Sequence, residues 1–485
     1  MPSLRMRRLS PSCVLGLLVA VLVATAAVAR AEPAPAPGDG APPTPDEASS
    51  PPVEPVWVLT GGGWGHGVGM SQWGAYGQAQ AGRSFEQILT TYYRGTEVSR
   101  TGRSNVRVLL ADGVPTAAFS GEGALVVVDG NGRKYRIRDG RLTLAKTLVA
   151  PIGPKGTKVP LAPPVRVQPT VGVIVSYRDV ARRGAYVVQP SAGGLLVVNE
   201  LPMEAYLRGV LPGEVPYGWP IEALKAQAVA ARTYAFTSLK PDSPWDVYTD
   251  VRSQVYGGVP LEKAETDRAI LETSGRILLY QGAPARTFYF SSSGGRTFSA
   301  REIFGGDTAY LQAVDDPWDA TSPHHAWPLR TFSPTALGRA FGLSGLVTEI
   351  APATQEEGRV PAASGPTRIR VQTANGKALE LTRTEIRTRL GLLSTRFRFG
   401  YLSLATPTPS AVPRAVVTID GVARDVESPI LERRRPDGSW QVIRDLDTRP
   451  DGTFTATVRP VETTVFRLSG SGAEGPSVRA VVSRP

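Results

Sequence analysis

The sequence predicts an α+β fold in which a β-rich body with a short helical core is followed by a C-terminal immunoglobulin-like β-sandwich. Three observations support this prediction. The chain has 485 residues, which is too long for one compact domain. Its 51 glycines and 43 prolines, close to a fifth of the residues, are typical of turn-rich proteins. The apolar residues occur in short runs rather than long heptads, which argues against a helical bundle.

The first 31 residues have the pattern of a signal peptide. A basic stretch at residues 5–8 precedes an uncharged apolar run at residues 14–28, and Ala29-Arg30-Ala31 has the small residues of a cleavage site. The run is shorter than the roughly 20 residues of a membrane-spanning helix. We therefore expect cleavage after Ala31, no transmembrane anchor afterwards, and a secreted, cell-wall-associated protein. The pair Arg7-Arg8 leaves a twin-arginine signal open.

The charge and the cysteine content limit the classes of partner. The 54 basic and 43 acidic side chains give a formal charge of +11, and removal of the signal peptide with its four arginines leaves +7. The extracellular location argues against nucleic acid, so an anionic cell wall polymer is the expected partner. Cys13 is the single cysteine and lies in the signal peptide, which excludes disulfides and thiolate metal sites from the mature chain. No cofactor is expected.

A linker and a folded body follow the signal peptide. Residues 32–55 contain nine prolines, five acidic residues and no basic residue, which predicts an extended Pro-rich linker. The body at 56–403 combines strands with two helices between Pro202 and Lys240, the second beginning near Pro220. The predicted strands lie at residues 106–110, 124–128, 134–137, 173–177, 186–189, 195–198, 276–280 and 287–290, with a last β-region at 368–399.

A second linker, at residues 404–413, precedes six short predicted strands within residues 414–485. Their near-regular spacing, with Asp437-Gly438 and Asp451-Gly452 at turns, is typical of a small immunoglobulin-like sandwich. The strands are predicted at residues 415–419, 430–434, 440–444, 453–458, 464–468 and 478–482. This region carries no motif with evident chemistry, so we expect it to act as a spacer or to contact the wall.

The densest glycine run, the glycine box, lies at residues 61–77 and reads Gly-Gly-Gly-Trp-Gly-His-Gly-Val-Gly-Met-Ser-Gln-Trp-Gly-Ala-Tyr-Gly. Glycines at this frequency allow positive φ angles and a close approach of the backbone to a ligand. No frame fits G-x-G-x-x-G and no Lys-Ser/Thr pair follows, so a phosphate-binding loop is excluded. The run predicts a polysaccharide cleft lined by Trp64, His66, Gln72 and Trp73. The alternative is a tight structural turn with His66 hydrogen-bonded inside it.

One acidic residue, Glu214, lies between Pro212 and Pro216. The two prolines fix φ on either side of Glu214 and predict a stiff loop that enters a helix. Lys225 and Arg232 follow on one face of that helix among alanines, as residues that bind a carboxylate or a ligand would. The alternative is that Glu214 is an ordinary surface acid and that the two basic residues are solvated or paired with structural acids.

Two segments rich in hydroxyl groups complete the candidates. Residues 252–256, Arg-Ser-Gln-Val-Tyr, and residues 290–297, Phe-Ser-Ser-Ser-Gly-Gly-Arg-Thr, are expected to hydrogen-bond a sugar. A serine hydrolase is a weaker alternative, because G-x-S-x-G is absent and the candidate bases are His66, His324 and His325. The two adjacent histidines would point to opposite sides of an extended chain, so no metal site is expected.

Together these blocks resemble the SpoIID/LytB family of stage II sporulation protein D and the amidase enhancers. The blocks are Gly-His-Gly-Val-Gly-Met-Ser-Gln-Trp-Gly-Ala at 65–75, Glu214 with Ala-Leu-Lys-Ala-Gln-Ala-Val-Ala-Ala-Arg-Thr-Tyr at 223–234, Ser-Gln-Val-Tyr at 253–256, and Ser291 to Gly295. The resemblance covers residues 57 to about 403 and implies a SpoIID-like catalytic body. Family members that act on peptidoglycan are lytic transglycosylases of glycan strands stripped of stem peptides, which implies that Glu214 is catalytic. The implied substrate-binding residues are His66, Gln72, Trp73, Lys225, Gln227, Arg232, Ser253, Gln254, Tyr256, Ser291 and Ser293.

The chain departs from the family pattern in two places. In the sporulation members the Gly-His-Gly box lies near the carboxyl end, whereas here it precedes the body, so the chain resembles a circularly permuted member. We nevertheless expect His66 to lie across the same cleft as Glu214, because permutation preserves contacts when the termini lie close together. Many relatives also have a His at the position of Phe290, and metal binding through that position is not expected here.

The resemblance implies a reaction that needs one carboxylate, whereas most hydrolysing glycosidases use two. Glu214 would protonate the glycosidic oxygen and then act as the base while the muramic 6-hydroxyl attacks. The expected substrate is therefore the glycan strand of peptidoglycan. The main alternative is a non-enzymatic glycan-binding module that enhances a partner amidase.

Overall fold

The computed structural model describes residues 54–153, 156–170, 174–353, 368–409 and 412–482. The predicted signal peptide at 1–31 lies outside the described residues, as does the predicted linker at 32–55 apart from its last two residues. Among the helices that the structure describes, none is both long and apolar enough to cross a membrane.

Most of the described elements are strands, and the α+β, β-rich fold class predicted from the sequence is confirmed. The strands are β1 (Val56–Gly61), β2 (Met70–Ser71), β3 (Glu97–Arg100), β4 (Asn105–Val114), β5 (Thr116–Ser120), β6 (Leu125–Val128), β7 (Lys134–Ile137), β8 (Arg141–Ala145), β9 (Val149–Ala150), β10 (Val159–Pro160), β11 (Val165–Pro169), β12 (Ile174–Tyr177), β13 (Val180–Arg183), β14 (Ala185–Ser191), β15 (Gly194–Pro202), β16 (Val247–Tyr248), β17 (Arg276–Tyr280), β18 (Ala283–Pro284), β19 (Tyr289–Phe290), β20 (Arg330–Phe332), β21 (Val347–Pro352), β22 (Arg368–Thr373), β23 (Ala378–Thr382), β24 (Phe397–Leu404), β25 (Val417–Arg424), β26 (Ile430–Arg434), β27 (Trp440–Asp445), β28 (Thr453–Val458), β29 (Thr464–Gly470) and β30 (Ala473–Ala480).

The described helices are fewer than the described strands. They are α1 (Gln72–Gln80), α2 (Phe85–Tyr92), α3 (Met203–Arg208), α4 (Leu211–Glu214), α5 (Ile221–Thr237), α6 (Ala264–Glu272), α7 (Ala300–Phe304), α8 (Pro334–Phe341) and α9 (Arg383–Leu390). Short 3₁₀ helices span Val259–Leu261 and Pro317–Thr321.

The described chain forms two compact units. Unit I contains Thr101–Gly218 and Ala235–Gly275. Unit II contains the described residues up to Arg100, then Trp219–Tyr234, and those from Arg276 onward. Helix α5 carries residues of both units, because the boundary falls after Tyr234.

Unit I is built on a seven-stranded sheet with the order β16-β4-β15-β14-β11-β6-β7. Strand β15 is buried at nearly every position, as expected for a central strand that is covered on both faces. In the second, four-stranded sheet β13-β12-β5-β8, strands β5 and β8 alternate buried and exposed residues, the pattern of strands with one face on the core. Helix α3 begins directly after β15, so the end of the large sheet positions the residues that lead to Glu214.

Unit II contains a five-stranded sheet with the order β20-β1-β24-β25-β28. Strand β1 therefore pairs with β24, more than 300 residues later in sequence, and β24 pairs with β25 through Tyr401–Leu404. Val58, Leu402 and Leu404 are buried in one core with residues of β25, β26, β28, β29 and β30. The predicted linker at 404–413 thus falls between two strands that are hydrogen-bonded to each other. The immunoglobulin-like character of residues 414–485 stays a prediction.

The local elements agree with the sequence most closely where the apolar pattern is strong. Strands β7, β17, β26 and β28 have the predicted bounds. The prediction of two helices between Pro202 and Lys240 was wrong, because α3 and α4 precede α5 there. The predicted last β-region at 368–399 is also interrupted by α9, whose first turn carries a capping box between Thr382 and Glu385.

Candidate functional site

Glu214 is the last residue of α4, a single helical turn in unit I. Val215 leaves this turn in an extended conformation, as the following Pro216 requires. The Glu214 side chain is half-buried, and its Oε1 accepts a hydrogen bond from the backbone N–H of Val255 at 3.2 Å. The carboxyl group is therefore held by a residue of the second predicted segment, Ser253–Tyr256.

The neighbours of Val255 anchor that segment from the interior of unit I. Gln254 is 1% exposed, and its Oε1 accepts a hydrogen bond from the Tyr206 hydroxyl at 3.1 Å. The Tyr256 hydroxyl donates to Oδ1 of the fully buried Asn199 at 2.8 Å, and burial raises the pKa of Tyr256. Both side chains are enclosed by protein, and their position holds Val255 in place. Their predicted contact with a substrate stays a prediction.

The structure also shows how Ser253 is held at the start of this segment. Its hydroxyl oxygen accepts a hydrogen bond from the Tyr248 N–H at 3.1 Å, and its own N–H donates to the carbonyl of Asp250. Ser253 is half-buried, so the side chain keeps part of its surface exposed. Its predicted contact with a sugar stays a prediction.

The predicted residues of helix α5 lie in unit II and have structural partners. Lys225 Nζ lies 2.9 Å from Oε1 of Glu222, whose Oε2 in turn accepts a hydrogen bond from the Phe85 N–H. Arg232 is 1% exposed, and its Nη1 donates to the carbonyl oxygens of Ala228 and Arg276. For Lys225 this is the pairing with a structural acid that the sequence left open. Arg232 lies inside the core, where its guanidinium binds backbone carbonyls, and its predicted contact with a substrate stays a prediction.

The glycine box is folded against other backbone segments of unit II. Gly69 has a φ of +79°, and a Cβ atom at this position would lie 2.1 Å from the carbonyl oxygen of Phe288. Gly63 has a φ of +81°, and a Cβ atom there would lie 2.6 Å from the carbonyl oxygen of Ser292. Glycines are needed at these two positions because the chain approaches its own backbone closely there.

His66 is enclosed by aromatic rings. Its ring centroid lies 6.0 Å from that of Phe288, 5.5 Å from Phe290 and 5.6 Å from Phe304. Nδ1 accepts a hydrogen bond from the Val68 N–H at 3.1 Å. Burial, with a smaller contribution from the positive charge of Arg387, lowers the pKa of His66 from 6.5 to about 4. The imidazole is therefore neutral at neutral pH, and this geometry favours the structural turn that the sequence analysis kept as the alternative.

Gln72 and Trp73 begin helix α1, which Ser71 caps by accepting a hydrogen bond from the Gly74 N–H. The Gln72 amide is nearly buried, and its Nε2 lies 3.4 Å from Oε1 of the buried Gln227. The backbone N–H of Trp73 donates to the carbonyl oxygen of Ser291 at 2.9 Å. Four of the predicted substrate-binding residues, Gln72, Trp73, Gln227 and Ser291, are thus brought together in unit II.

A buried carboxylate that was not predicted from the sequence organises the segment Ser291–Gly295, called the serine loop here. Asp319 is fully buried. It accepts hydrogen bonds from the hydroxyls of Ser71 and Ser292 and from the N–H groups of Ser293 and Gly294, at 2.9–3.1 Å. Asp319 therefore ties the serine loop to the residue that caps α1.

A second buried acid, Asp316, lies beside the same loop. Its oxygens accept hydrogen bonds from the hydroxyls of Ser293 and Tyr92, at 2.8 and 2.9 Å. Burial raises the pKa of Asp316 from 3.8 to about 6. The signal in the sequence was the run Asp-Asp-Pro-Trp-Asp at 315–319, in which three acids lie within five residues.

These contacts bear on the serine hydrolase alternative. The hydroxyls of Ser292 and Ser293 donate to carboxylates, whereas a nucleophilic serine needs a hydrogen bond to a base. His325 Nδ1 lies 3.1 Å from Asp319, and His324 packs against Trp64. The Ser293 hydroxyl is buried against Asp316, and its predicted contact with a sugar stays a prediction. Within the described residues no group of three or more His, Cys, Asp or Glu side chains is arranged to hold a metal ion.

The two sets of predicted residues belong to different units. Glu214, Ser253, Gln254 and Tyr256 lie in unit I, whereas the glycine box, α5 up to Tyr234 and the serine loop lie in unit II. The predicted position of His66 across one cleft from Glu214 therefore stays a prediction.

Comparison with known proteins gives one family match and several relatives. The family model of SpoIID, described as stage II sporulation protein, matches residues 191–280. An uncharacterized protein of Brachyspira hyodysenteriae is 40% identical over 134 residues, which is 27% of this chain and 36% of that protein. The amidase enhancer of Bacillus subtilis is 41% identical over 123 residues, 25% of this chain and 16% of the enhancer. Stage II sporulation protein D of Bacillus amyloliquefaciens is 31% identical over 221 residues, 42% of this chain and 61% of that protein.

The matches cover less than two thirds of the length of each of these relatives. The segment matched by the family model contains Glu214, the predicted residues of α5 and the segment Ser253–Tyr256. The glycine box and the serine loop lie outside it.

Proposed function

The chain belongs to the SpoIID/LytB family, and from this premise we propose that it is a secreted lytic transglycosylase of peptidoglycan. It cleaves glycan strands stripped of stem peptides during remodelling of the cell wall. The observation that carries the proposal is the placement of Glu214. Its carboxyl group is half-buried on a proline-braced turn and aligned by the N–H of Val255.

The reaction uses the Glu214 carboxyl group twice. As the acid, it gives its proton to the glycosidic oxygen while the bond between that oxygen and the muramic C1 breaks. The muramic 6-hydroxyl then attacks C1, and the Glu214 carboxylate takes the hydroxyl proton. The products are a strand with a 1,6-anhydromuramic end and a strand with a new free 4-hydroxyl, and Glu214 is again protonated.

The rigidity of the Glu214 turn suits this double role. Leu211 and Val215, on either side, are buried, and Pro212 and Pro216 restrict the backbone. A carboxyl group held in this way does not need to reorient between the two proton transfers, since acid and base act at nearly the same place. Hydrolysis would instead require a second carboxylate. It would lie roughly 5–5.5 Å away if it formed a covalent intermediate, or roughly 6.5–9.5 Å away if it activated a water molecule.

The product chemistry tests this proposal. Glycan strands freed of stem peptides are incubated with the protein, and the fragments are identified by mass spectrometry. We expect fragments with 1,6-anhydromuramic ends, which are lighter by one water than hydrolytic products. Reducing ends without the anhydro bridge would identify a hydrolase, and intact strands would contradict catalysis altogether.

A non-enzymatic role is the second candidate. It is favoured by the 41% identity to the protein named amidase enhancer. In this case the chain would bind glycan strands without cutting them and would increase the rate of a cell wall amidase. The same digest distinguishes the two functions when an amidase is added in a separate arm. Faster release of stem peptides with no new glycan ends would support the enhancer role.

A further inference from the structure

Three aromatic side chains of unit II contact one another at the start of helices α1 and α5. The ring centroids of Trp73, Tyr76 and Trp219 lie 5.0–5.3 Å apart, with interplanar angles of 52–68°. Trp73 and Tyr76 are three positions apart on α1 and therefore project from the same face of that helix. Trp219 lies two positions before the first residue of α5, with Pro220 between them.

The three rings differ from the core aromatic residues of the same unit in their exposure. Trp57, Tyr92 and Tyr93 are at most 1% exposed. Trp73, Tyr76 and Trp219 are each only half-buried. Aromatic side chains that pack together yet keep part of their rings accessible offer an apolar surface with polar edges, which is how such residues bind ligands.

The cluster is held rigidly before any ligand arrives. The first turn of α1 is fixed by the Ser71 cap, and the Ser71 hydroxyl donates to the buried Asp319. The backbone N–H of Trp73 donates a hydrogen bond to the carbonyl oxygen of Ser291. A surface whose backbone is already ordered loses little conformational entropy when a ligand binds.

The polar groups beside the rings fit an uncharged ligand. The Tyr76 hydroxyl accepts a hydrogen bond from the Gln80 side-chain amide at 2.7 Å, and its O–H can donate to a ligand oxygen. Glu222, in the first turn of α5, forms an ion pair at 2.9 Å with Lys225 three positions later. Amide and hydroxyl groups at the edge of an apolar surface match the alternation of C–H faces and hydroxyl groups on a pyranose ring.

We propose that Trp73, Tyr76 and Trp219 form a stacking platform for the N-acetylated pyranose rings of a β-1,4-linked glycan. The ligand class rests on the proposed function, but the platform binds sugar whether or not the strand is cut. It recognises the N-acetylglucosamine units of the strand through the ring faces and the Tyr76 hydroxyl.

Binding of tetra-N-acetylchitotetraose by isothermal titration calorimetry tests the platform separately from catalysis. This probe contains β-1,4-linked N-acetylglucosamine and no muramic acid. We expect the full chain to bind it and Trp219→Ala to bind at least about tenfold more weakly, the effect of losing roughly one aromatic stacking contact. Trp245→Ala is the matched control, because Trp245 is also half-buried and packed against a tyrosine, Tyr248.

Two additional variants keep the test informative if Trp219→Ala does not fold. Trp219→Phe keeps an aromatic ring and should retain most of the affinity, whereas Tyr76→Leu keeps the volume without the ring and should lose it. Equal binding by all variants, or no binding by the wild type, would overturn the proposal. Binding of a proline-rich peptide at this site in place of the sugar would also overturn it, because aromatic clusters can recognise such segments.

The outcomes also separate the platform from the proposed reaction. A Trp219→Ala variant that loses chitotetraose binding but still yields anhydro-ended fragments at high substrate concentration supports both proposals. Wild-type binding of chitotetraose without any cleavage of denuded strands would support the platform and contradict the transglycosylase.

Discussion

The carboxyl oxygen Oε1 of Glu214 lies 3.2 Å from the backbone nitrogen of Val255, which donates a hydrogen bond to it across 41 positions of sequence. Val255 is held between two buried side chains, Gln254 and Tyr256, that are bound to Tyr206 and Asn199. The segment therefore acts as a rigid support for the proposed catalytic acid. This relationship explains why a Ser-Gln-Val-Tyr segment accompanies Glu214 although two of its side chains are buried.

The first prediction concerns Glu214 itself. Glu214→Gln keeps the shape of the side chain and an oxygen that can accept from Val255, but it cannot donate a carboxylic proton. Turnover of denuded glycan strands should fall by about 10²-fold or more, the usual scale of general acid catalysis. The rate of anhydro-end formation, measured by mass spectrometry, checks this prediction.

Glu265→Gln is the matched control, because Glu265 is an exposed glutamate on α6 of the same unit. It should cleave at the wild-type rate. Wild-type turnover by Glu214→Gln would show that another group supplies the proton.

The second prediction concerns the pH dependence of stability through Asp316. Burial raises the pKa of Asp316 to about 6 in the folded protein, from 3.8 in an exposed state. The folded state thus binds this proton more tightly than the unfolded state. The contribution of the Asp316 proton to the stability of the folded state is complete below about pH 4 and is lost as the pH rises through 6. A difference of about two pKa units corresponds to roughly 3 kcal/mol.

Asp316→Asn removes this titration. Relative to the wild type, the variant should gain up to roughly 3 kcal/mol of unfolding free energy between pH 4 and pH 7. Urea unfolding at a series of pH values measures the difference. Asp315→Asn is the control. Because the Asp315 side chain is 86% exposed, this variant should show no pH-dependent gain in unfolding free energy over the wild type. A constant difference between wild type and Asp316→Asn across this range would contradict the assignment.

The third prediction compares two glycines with nearly the same backbone conformation. Gly69 and Gly82 have φ angles of +79° and +81°. A Cβ atom at Gly69 would lie 2.1 Å from the carbonyl oxygen of Phe288, whereas nothing lies within 4 Å of one at Gly82. Gly82→Ala should therefore cost only the left-handed backbone strain, about 1–2 kcal/mol.

Gly69→Ala should cost roughly 1–3 kcal/mol more than Gly82→Ala, because the methyl group forces two backbone segments apart. The free energy of unfolding of both variants, from urea denaturation, provides the comparison. Equal losses of stability would show that the glycine box has room for a side chain and that close packing is not the reason for its glycines.

The sequence predicted the elements whose signals are local. The bounds of β7, β17, β26 and β28 followed from short apolar runs between turn residues. Helix α1 was not predicted because it contains Gly74 and Gly77, which are poor helix formers. Their small size is required by contacts from elsewhere. A Cβ atom at Gly74 would lie 2.0 Å from the Tyr92 hydroxyl, and one at Gly77 would lie 2.2 Å from the Trp318 carbonyl oxygen.

The candidate site shows the same limit. Glu214 could be singled out because the two prolines that brace it, Pro212 and Pro216, are each only two positions away in sequence. Asp319 could not, because its hydrogen-bond donors come from Ser71 and the serine loop, and its third neighbour is the ring of His325. The carbonyl partner of Arg232 could not be identified for a related reason, since the carbonyl of Arg276 lies 44 positions away in sequence.

The last prediction concerns the C-terminal region. The sequence predicts a linker at 404–413 and a separate sandwich at 414–485, so a chain that ends at Leu404 should keep its activity on soluble strands. The structure gives a reason to expect instability in that truncated chain. It removes β25, the hydrogen-bonding partner of β24, and uncovers Val58, Leu402 and Leu404, which are at most 6% exposed in the full chain.

Exposing three such aliphatic side chains costs on the order of several kcal/mol, at about 1.5–3 kcal/mol for each fully buried one. This is a large part of the roughly 5–15 kcal/mol that stabilises a typical domain. We therefore expect the truncated chain to unfold at a lower temperature than the full chain, as measured by circular dichroism. Leu402→Ala in the full chain is the control for the loss of core packing alone and should cost roughly 2–5 kcal/mol. Equal melting temperatures for the truncated and full chains would show that the body folds without β25, and the sandwich would then be the separable domain that the sequence predicts.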